Sequence, residues 1–123
     1  MEETYKPKEL VKAAIGEVGT LSADEVQAAM HQGAVLIDVR EPQELENGRI
    51  AGAKHIPRGV LEFKVGDSGI GKDERIVTYC AAGSRAAMAA ATLKKLGYAG
   101  AIASEAGFDD LAKNGLPTEG GDG

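Results

Sequence analysis

Short apolar runs separated by stretches of helical periodicity organise this chain. Val35-Leu36-Ile37-Asp38-Val39 is continuous and apolar apart from one acid, the pattern of a strand buried on both faces and therefore paired in parallel. Arg75-Ile76-Val77-Thr78-Tyr79 is a β-branched and aromatic run, Ala99 to Ala103 reads as a final strand, and Ala53 to Ile56 is a weaker strand that Pro57 ends. Between them the period changes. Leu10, Val11, Ala14 and Ile15 recur at helical spacing within Pro7 to Glu17, with Gly16 and Gly19 near the end. Ser22 followed by Glu25 is a capping box that opens a helix through about Met30, and Gly33 terminates it. Pro42 at a first helical position introduces a short helix over Gln43 to Glu46, closed by Asn47-Gly48. Further helices are expected over Val60 to Val65, Arg85 to Leu96 with Gly97 as its C-terminal cap, and Gly107 to Lys113; Gly66 to Asp73 reads as a loop. Strands alternating with helices predict an α/β fold, a parallel sheet covered on both sides.

Composition narrows this picture. A chain of 123 residues fits one domain that buries its core without disulfides or metals. Aromatics are scarce and Trp is absent, so Ala, Val, Leu and Ile must fill the interior. A net charge of −5 disfavours a nucleic-acid footprint or attraction to anionic membranes, and an anionic substrate would need local positive charge. Met1 to Leu10 carries no apolar run fit for a signal peptide, and no segment has the length and apolarity to span a bilayer, so a cytoplasmic protein is expected. His31 and His55 show no metal-ligand spacing, and a single Cys makes no internal disulfide; neither a metal nor a cofactor is expected.

That Cys is the strongest chemical signal. Tyr79-Cys80-Ala81-Ala82-Gly83-Ser84-Arg85 puts the thiol where a strand runs out and a helix begins. The first turn of a helix leaves N–H groups without partners and carries the positive end of the dipole, so a sulfur anion facing it lies in a cradle of donors. Small residues at Ala81, Ala82 and Gly83 obstruct neither the turn nor an anion. Ser84 can add a hydroxyl donor or cap the helix, and Arg85 adds a fixed positive charge suited to an oxyanion.

Three segments in series resemble the rhodanese-like domain family: Leu36-Ile37-Asp38-Val39-Arg40-Glu41-Pro42-Gln43-Glu44, Gly48-Arg49-Ile50-Ala51-Gly52-Ala53-Lys54-His55-Ile56-Pro57, and the Cys80 loop. Arg49 and Ala51 replace a His and a Pro usual in the second motif, and Phe108 and Leu111 stand in the closing helix where Trp is common. The likeness divides the chain into an N-terminal helical extension over 1–20, a rhodanese-like domain over 21–117 and a flexible tail over 118–123. It implies a five-stranded parallel sheet with helices on both faces, and a thiosulfate sulfurtransferase in which Cys80 becomes a persulfide. Thiosulfate would donate the sulfur, and cyanide, a thiol or a protein sulfur acceptor would remove it. N–H groups from Ala81 to Arg85 would face the persulfide, with Arg85 orienting the loop or the oxyanion. Asp38 and Arg40, at the end of a buried strand, are read as structural support. Arg58, beyond Pro57, stands either at the pocket mouth as an anion ligand or as a solvated surface residue.

Two rival activities can be weighed from residues. Gly66-Asp67-Ser68-Gly69-Ile70-Gly71-Lys72 imitates a nucleotide-binding loop, but Asp73 holds the place that needs a hydroxyl for Mg²⁺ and a strand, not a helix, follows. A Cys-dependent phosphatase or arsenate reductase places five residues between Cys and Arg, whereas four separate Cys80 from Arg85, a cradle sized for one sulfur rather than a phosphoryl group. A sulfur-relay module serving a protein partner would use the same loop.

Overall fold

The structure, a computed structural model, describes residues 4–120. Its central sheet follows from the apolar runs: β2 (Val35–Asp38), β5 (Ile76–Tyr79) and β6 (Ala101–Ser104) are its middle, and all four residues of β5 are buried. β1 (Thr20–Leu21) and β4 (Lys54–His55) form the edges, in the order β1-β6-β5-β2-β4, every pair parallel. Register places Asp38 beside both Tyr79 and His55, so the carboxyl ends of three strands meet at one rim.

Helices cover both faces. One face receives α1 (Pro7–Val18), α3 (Leu61–Lys64) and α4 (Ser84–Lys95); the other receives α2 (Ala23–His31) and α5 (Phe108–Lys113). α4 buries Ala86, Ala87, Ala89, Ala90, Ala91 and Leu93, so a core poor in aromatics is closed by an alanine helix pressed against the sheet. The N-terminal helix packs on this layer, with Ala14 and Val18 buried in the same cluster as α4. Among the described residues no helix is long and apolar enough to cross a membrane.

The capping box of α2 forms in full: Glu25 N–H donates to Ser22 Oγ at 3.2 Å, and Ser22 N–H to Glu25 Oε1 at 2.9 Å. Elsewhere the structure departs from the expected elements. Pro42–Asn47 winds as a 3₁₀ helix, and the segment expected as one helix over Val60 to Val65 is a 3₁₀ turn, the single α-turn of α3, then a second 3₁₀ turn. The expected flexible tail is corrected at its start: β7 (Thr118–Glu119) pairs antiparallel with β3 (Arg49–Ile50), and Arg49 Nε donates to Glu119 Oε1 at 3.1 Å. The rest of that tail, 121–123, lies outside the described residues.

Candidate active site

The loop Cys80–Gly83 leaves β5 at the carboxyl rim and delivers the chain into α4. Gly83 is the residue that makes the turn, at φ +100°, a left-handed conformation that side chains resist. It is also the N-cap of α4, without a side-chain cap, which corrects the expected capping role of Ser84: that residue is the first of the helix.

The turn folds the helix start back over the sulfur. Gly83 N–H donates to Cys80 Sγ at 3.0 Å and Ala86 N–H donates to it at 3.4 Å. Of the Ala81 to Arg85 amides, that of Gly83 bonds to Sγ itself; Ala86 completes the pair, and it lies outside the expected range. Counting the unpaired amides of a helix's first turn would have found it, since Ala86 is the third residue of α4. Thr78 is a second unanticipated contributor: its hydroxyl donates to the Ala86 carbonyl at 2.7 Å, pinning that turn to β5. Cys80 itself is 1% exposed, while Ala81 and Ala82 of the same loop are exposed.

A second loop locks the first. Ser104 Oγ donates to Ala106 O at 2.7 Å and turns the chain after β6, and Phe108 N–H then donates to Cys80 O at 3.0 Å. Gly107 lies so close that a Cβ built on it would fall 1.8 Å from the Ala81 carbonyl oxygen.

Beneath the loop lies a buried polar network. Arg40 Nη2 donates to Asp38 Oδ2 at 2.8 Å and Arg40 Nε to Oδ1 at 3.0 Å, with the two side chains 4% and 0% exposed. Tyr79 Oη donates to the same Asp38 Oδ2 at 2.7 Å and accepts from Ile50 N–H at 3.1 Å. Burial, then its bond to Asp38, pushes the Tyr79 phenol well above its ordinary value. Burial opposes the Arg40 charge, but the Asp38 carboxylate outweighs it and holds the guanidinium above its ordinary value. Arg40 also donates to the carbonyls of Glu44 (3.3 Å) and Gly48 (2.9 Å) and stacks 4.4 Å from the Phe108 ring centroid. Asp38 and Arg40 thus join the 3₁₀ turn, β3 and α5 beneath the Cys80 loop.

Arg85 points to that same 3₁₀ turn. Its Nη2 donates to Glu44 Oε2 at 2.9 Å and Nη1 donates to Oε1, a bidentate pair. These bonds bring the Glu44 carboxyl down to about 2 and raise Arg85 above its ordinary value. Arg58 is half-buried and reaches Thr92 Oγ1 at 3.3 Å and Glu62 Oε1 at 3.5 Å.

Two hollows flank the loop. One, about 270 Å³, is lined by Arg40, Glu44, Asn47, Ala81, Phe108 and Asp109. The other, about 470 Å³, runs between α1 and α4 and has Arg58, Ser84 and Arg85 along it. Chemically the arrangement is a lone thiol under two convergent amides, a geometry that stabilises charge on sulfur.

Comparison with known proteins agrees with this picture. The family described as Rhodanese-like domain matches residues 22–114. A protein named sulfurtransferase from Allochromatium vinosum is 31% identical over 70% of this chain and 78% of its own length. The chain spans 60% of another curated relative, from Bacillus subtilis. Among solved structures, a polysulfide-sulfur transferase homodimer from Wolinella succinogenes is 33% identical, with a TM-score of 0.80 over 94% of this chain and 88% of that one. A Rhodopseudomonas palustris protein of unknown function, called a possible tyrosine phosphatase, is 29% identical with a TM-score of 0.82 over 97% of this chain and 98% of that one.

Proposed function

Because this chain belongs to the rhodanese-like domain family, we propose that it is a sulfurtransferase that takes a sulfane sulfur from thiosulfate onto Cys80 and yields it to cyanide or a thiol. The observation that carries this reading is the pair of amides, Gly83 and Ala86, at 3.0 and 3.4 Å from Cys80 Sγ. The Cys80 thiolate attacks the outer sulfur of thiosulfate; the S–S bond of the donor breaks and sulfite leaves with its electron pair. Cys80 now carries one extra sulfur, whose charge would be met by the N–H groups of the exposed loop residues Ala81, Ala82 and Ser84. A nucleophilic acceptor attacks that outer sulfur and returns Cys80 to its starting state. Arg85, bound to Glu44, ties the start of α4 to the 3₁₀ turn and so positions the loop. The reaction is assigned to the cytoplasm, where a free thiol stays reduced.

The size of the loop supports sulfur over phosphorus, and the name of the Rhodopseudomonas relative makes the contrast worth testing. Intact-mass measurement after thiosulfate treatment is expected to show one reducible sulfur per chain and Cys80→Ala to abolish both adduct and thiocyanate formation. Turnover persisting in that variant, or efficient hydrolysis of aryl phosphates by the wild-type protein, would reject the reading.

A further inference from the structure

β3 stands apart from the central sheet. Among the described residues its strand partner is β7, and the two form a separate antiparallel pair in which Arg49 faces Glu119 and Ile50 faces Thr118. Yet β3 is the strand on which the buried polar network leans: Arg40 Nη2 donates to the Gly48 carbonyl at its entry at 2.9 Å, and Ile50 N–H donates to Tyr79 Oη at 3.1 Å. Tyr79 is the residue before Cys80. A two-residue strand has little stability of its own, so how firmly β3 holds these two side chains depends on what grips it from outside.

That grip comes from the segment after α5. Leu116 is 7% exposed and sits in the same buried cluster as Ile50 and Tyr79. Pro117 O then accepts from Ala51 N–H at 2.8 Å, and Glu119 Oε1 accepts from Arg49 Nε at 3.1 Å. The donor at position 51 is informative. Ala53 N–H donates to Ile50 O at 3.1 Å and Gly52 lies at φ +83°, the pattern of a type II turn, in which position 51 is a favoured place for Pro. Pro has no N–H to give, and Ala at this position keeps the one that Pro117 uses. The strap also presses on Gly48, where a Cβ would lie 3.4 Å from Glu119 O and 3.5 Å from Gly120 O. It follows the residues matched by the family, 22–114.

Resting on the sulfurtransferase reading, we propose that Ala51, Arg49 and Glu119 are positioning residues, which clamp β3 beneath the C-terminal strap and so hold Tyr79 and Arg40 in place. All three act through β3 rather than on the sulfur. Ala51 and Arg49 bind the strap; Ile50 and Gly48, between and beside them, carry its hold inward to the end of β5 from which Cys80 is presented. What the strap sets is where Cys80 Sγ sits relative to the Gly83 and Ala86 amides. Loosening it therefore lowers kcat for sulfur uptake and leaves KM for thiosulfate unchanged.

The test uses the full chain, with sulfur uptake from thiosulfate read by intact mass and turnover read with cyanide as acceptor, well below the thermal midpoint of each variant. Ala51→Pro suits the turn but puts a ring carbon where the hydrogen now meets Pro117 O, so it lifts the strap at its root; Ala51→Ser keeps the N–H. We expect Ala51→Pro to lower kcat about tenfold with KM unchanged, a fraction of the roughly hundredfold that a misplacement of about 1 Å costs, and Ala51→Ser to match wild type. Arg49→Glu sets like charges opposite each other and should lower kcat about twofold, with Arg49→Glu/Glu119→Arg restoring it. A lower thermal midpoint with kcat unchanged would make the strap a stabiliser only and overturn the proposal. If the wild-type chain takes up no sulfur, the parent reading fails and the role of the strap falls with it. If wild type loads and Ala51→Pro loads equally fast, the strap alone is overturned.

Discussion

Gly107→Ala is the sharpest perturbation of this site, because it adds one methyl group and touches no side chain of the chemistry. Gly107 sits at φ −83° and ψ −177°, extended backbone open to any residue, so torsional strain is not the issue. Space is. The added carbon would lie 1.8 Å from Ala81 O, 2.5 Å from Ala81 C and 3.2 Å from Ala82 N, all backbone atoms of the loop that holds Cys80. To reach even the 3.0 Å that real contacts respect, the two loops must separate by about 1 Å or more, a shift that breaks the 3.0 Å bond from Phe108 N–H to Cys80 O. Overpacking of this kind costs about 1–3 kcal/mol. A misplacement of about 1 Å at a reacting centre costs on the order of a hundredfold in rate. We expect Gly107→Ala to fold with a lower midpoint in urea and to form the sulfur adduct about a hundred times more slowly, followed by sulfite release. A variant whose rate stays within about threefold of wild type would show that the Cys80 loop does not depend on this contact, and the account of how the site is held would be wrong.

Other outcomes follow from the same geometry. Thr78→Val keeps the shape but frees the turn containing Ala86 from β5; adduct formation is expected to slow by about tenfold, on the order of 1.4 kcal/mol in the barrier, with far-UV circular dichroism unchanged. Tyr79→Phe leaves Ile50 N–H without its acceptor and takes from Asp38 Oδ2 one of its donors, and should cost about 1–3 kcal/mol in urea unfolding with an unchanged m-value. Asp38→Ala strands the Arg40 charge in the interior and should cost about 3–5 kcal/mol, measured the same way. Glu44 has its folded-state carboxyl lowered from 4.5 to about 2, so the stability it adds is complete above pH 4.5 and is lost as pH falls through about 2. With side chains 29% and 36% exposed, the Glu44–Arg85 pair should contribute less than about 1 kcal/mol after screening; acid titrations of wild type and Glu44→Gln should diverge only above that lower limit.

Much of this architecture was legible from local pattern. β2 and β5 announce themselves as apolar runs, and Ser22 with Glu25 names the start of α2 to the residue. Elements of two residues do not: Thr20–Leu21 and Thr118–Glu119 are too short to show a period, and they become strands only because β6 and β3 offer them partners. The candidate nucleophile was legible because strand, small residues and helix follow one another around Cys80. Its backbone donors leave no mark in side-chain identity, so the part of Ala86 emerges only from the fold. The Arg85–Glu44 pair spans 41 positions, and only the folded chain shows that the guanidinium is already committed to a carboxylate. The sequence leaves Arg58 open between two roles, and its bonds to Glu62 and Thr92 are visible only in the folded chain.

The near-complete enclosure of Cys80, 1% exposed beneath its own helix start, bears on durability. Oxidation beyond the sulfenic state adds oxygens that need room around the sulfur, and bulky alkylating reagents need the same room. A thiol roofed by backbone amides is shielded from both, so under the proposed reaction its lifetime is set by what can thread the loop rather than by the abundance of oxidants outside.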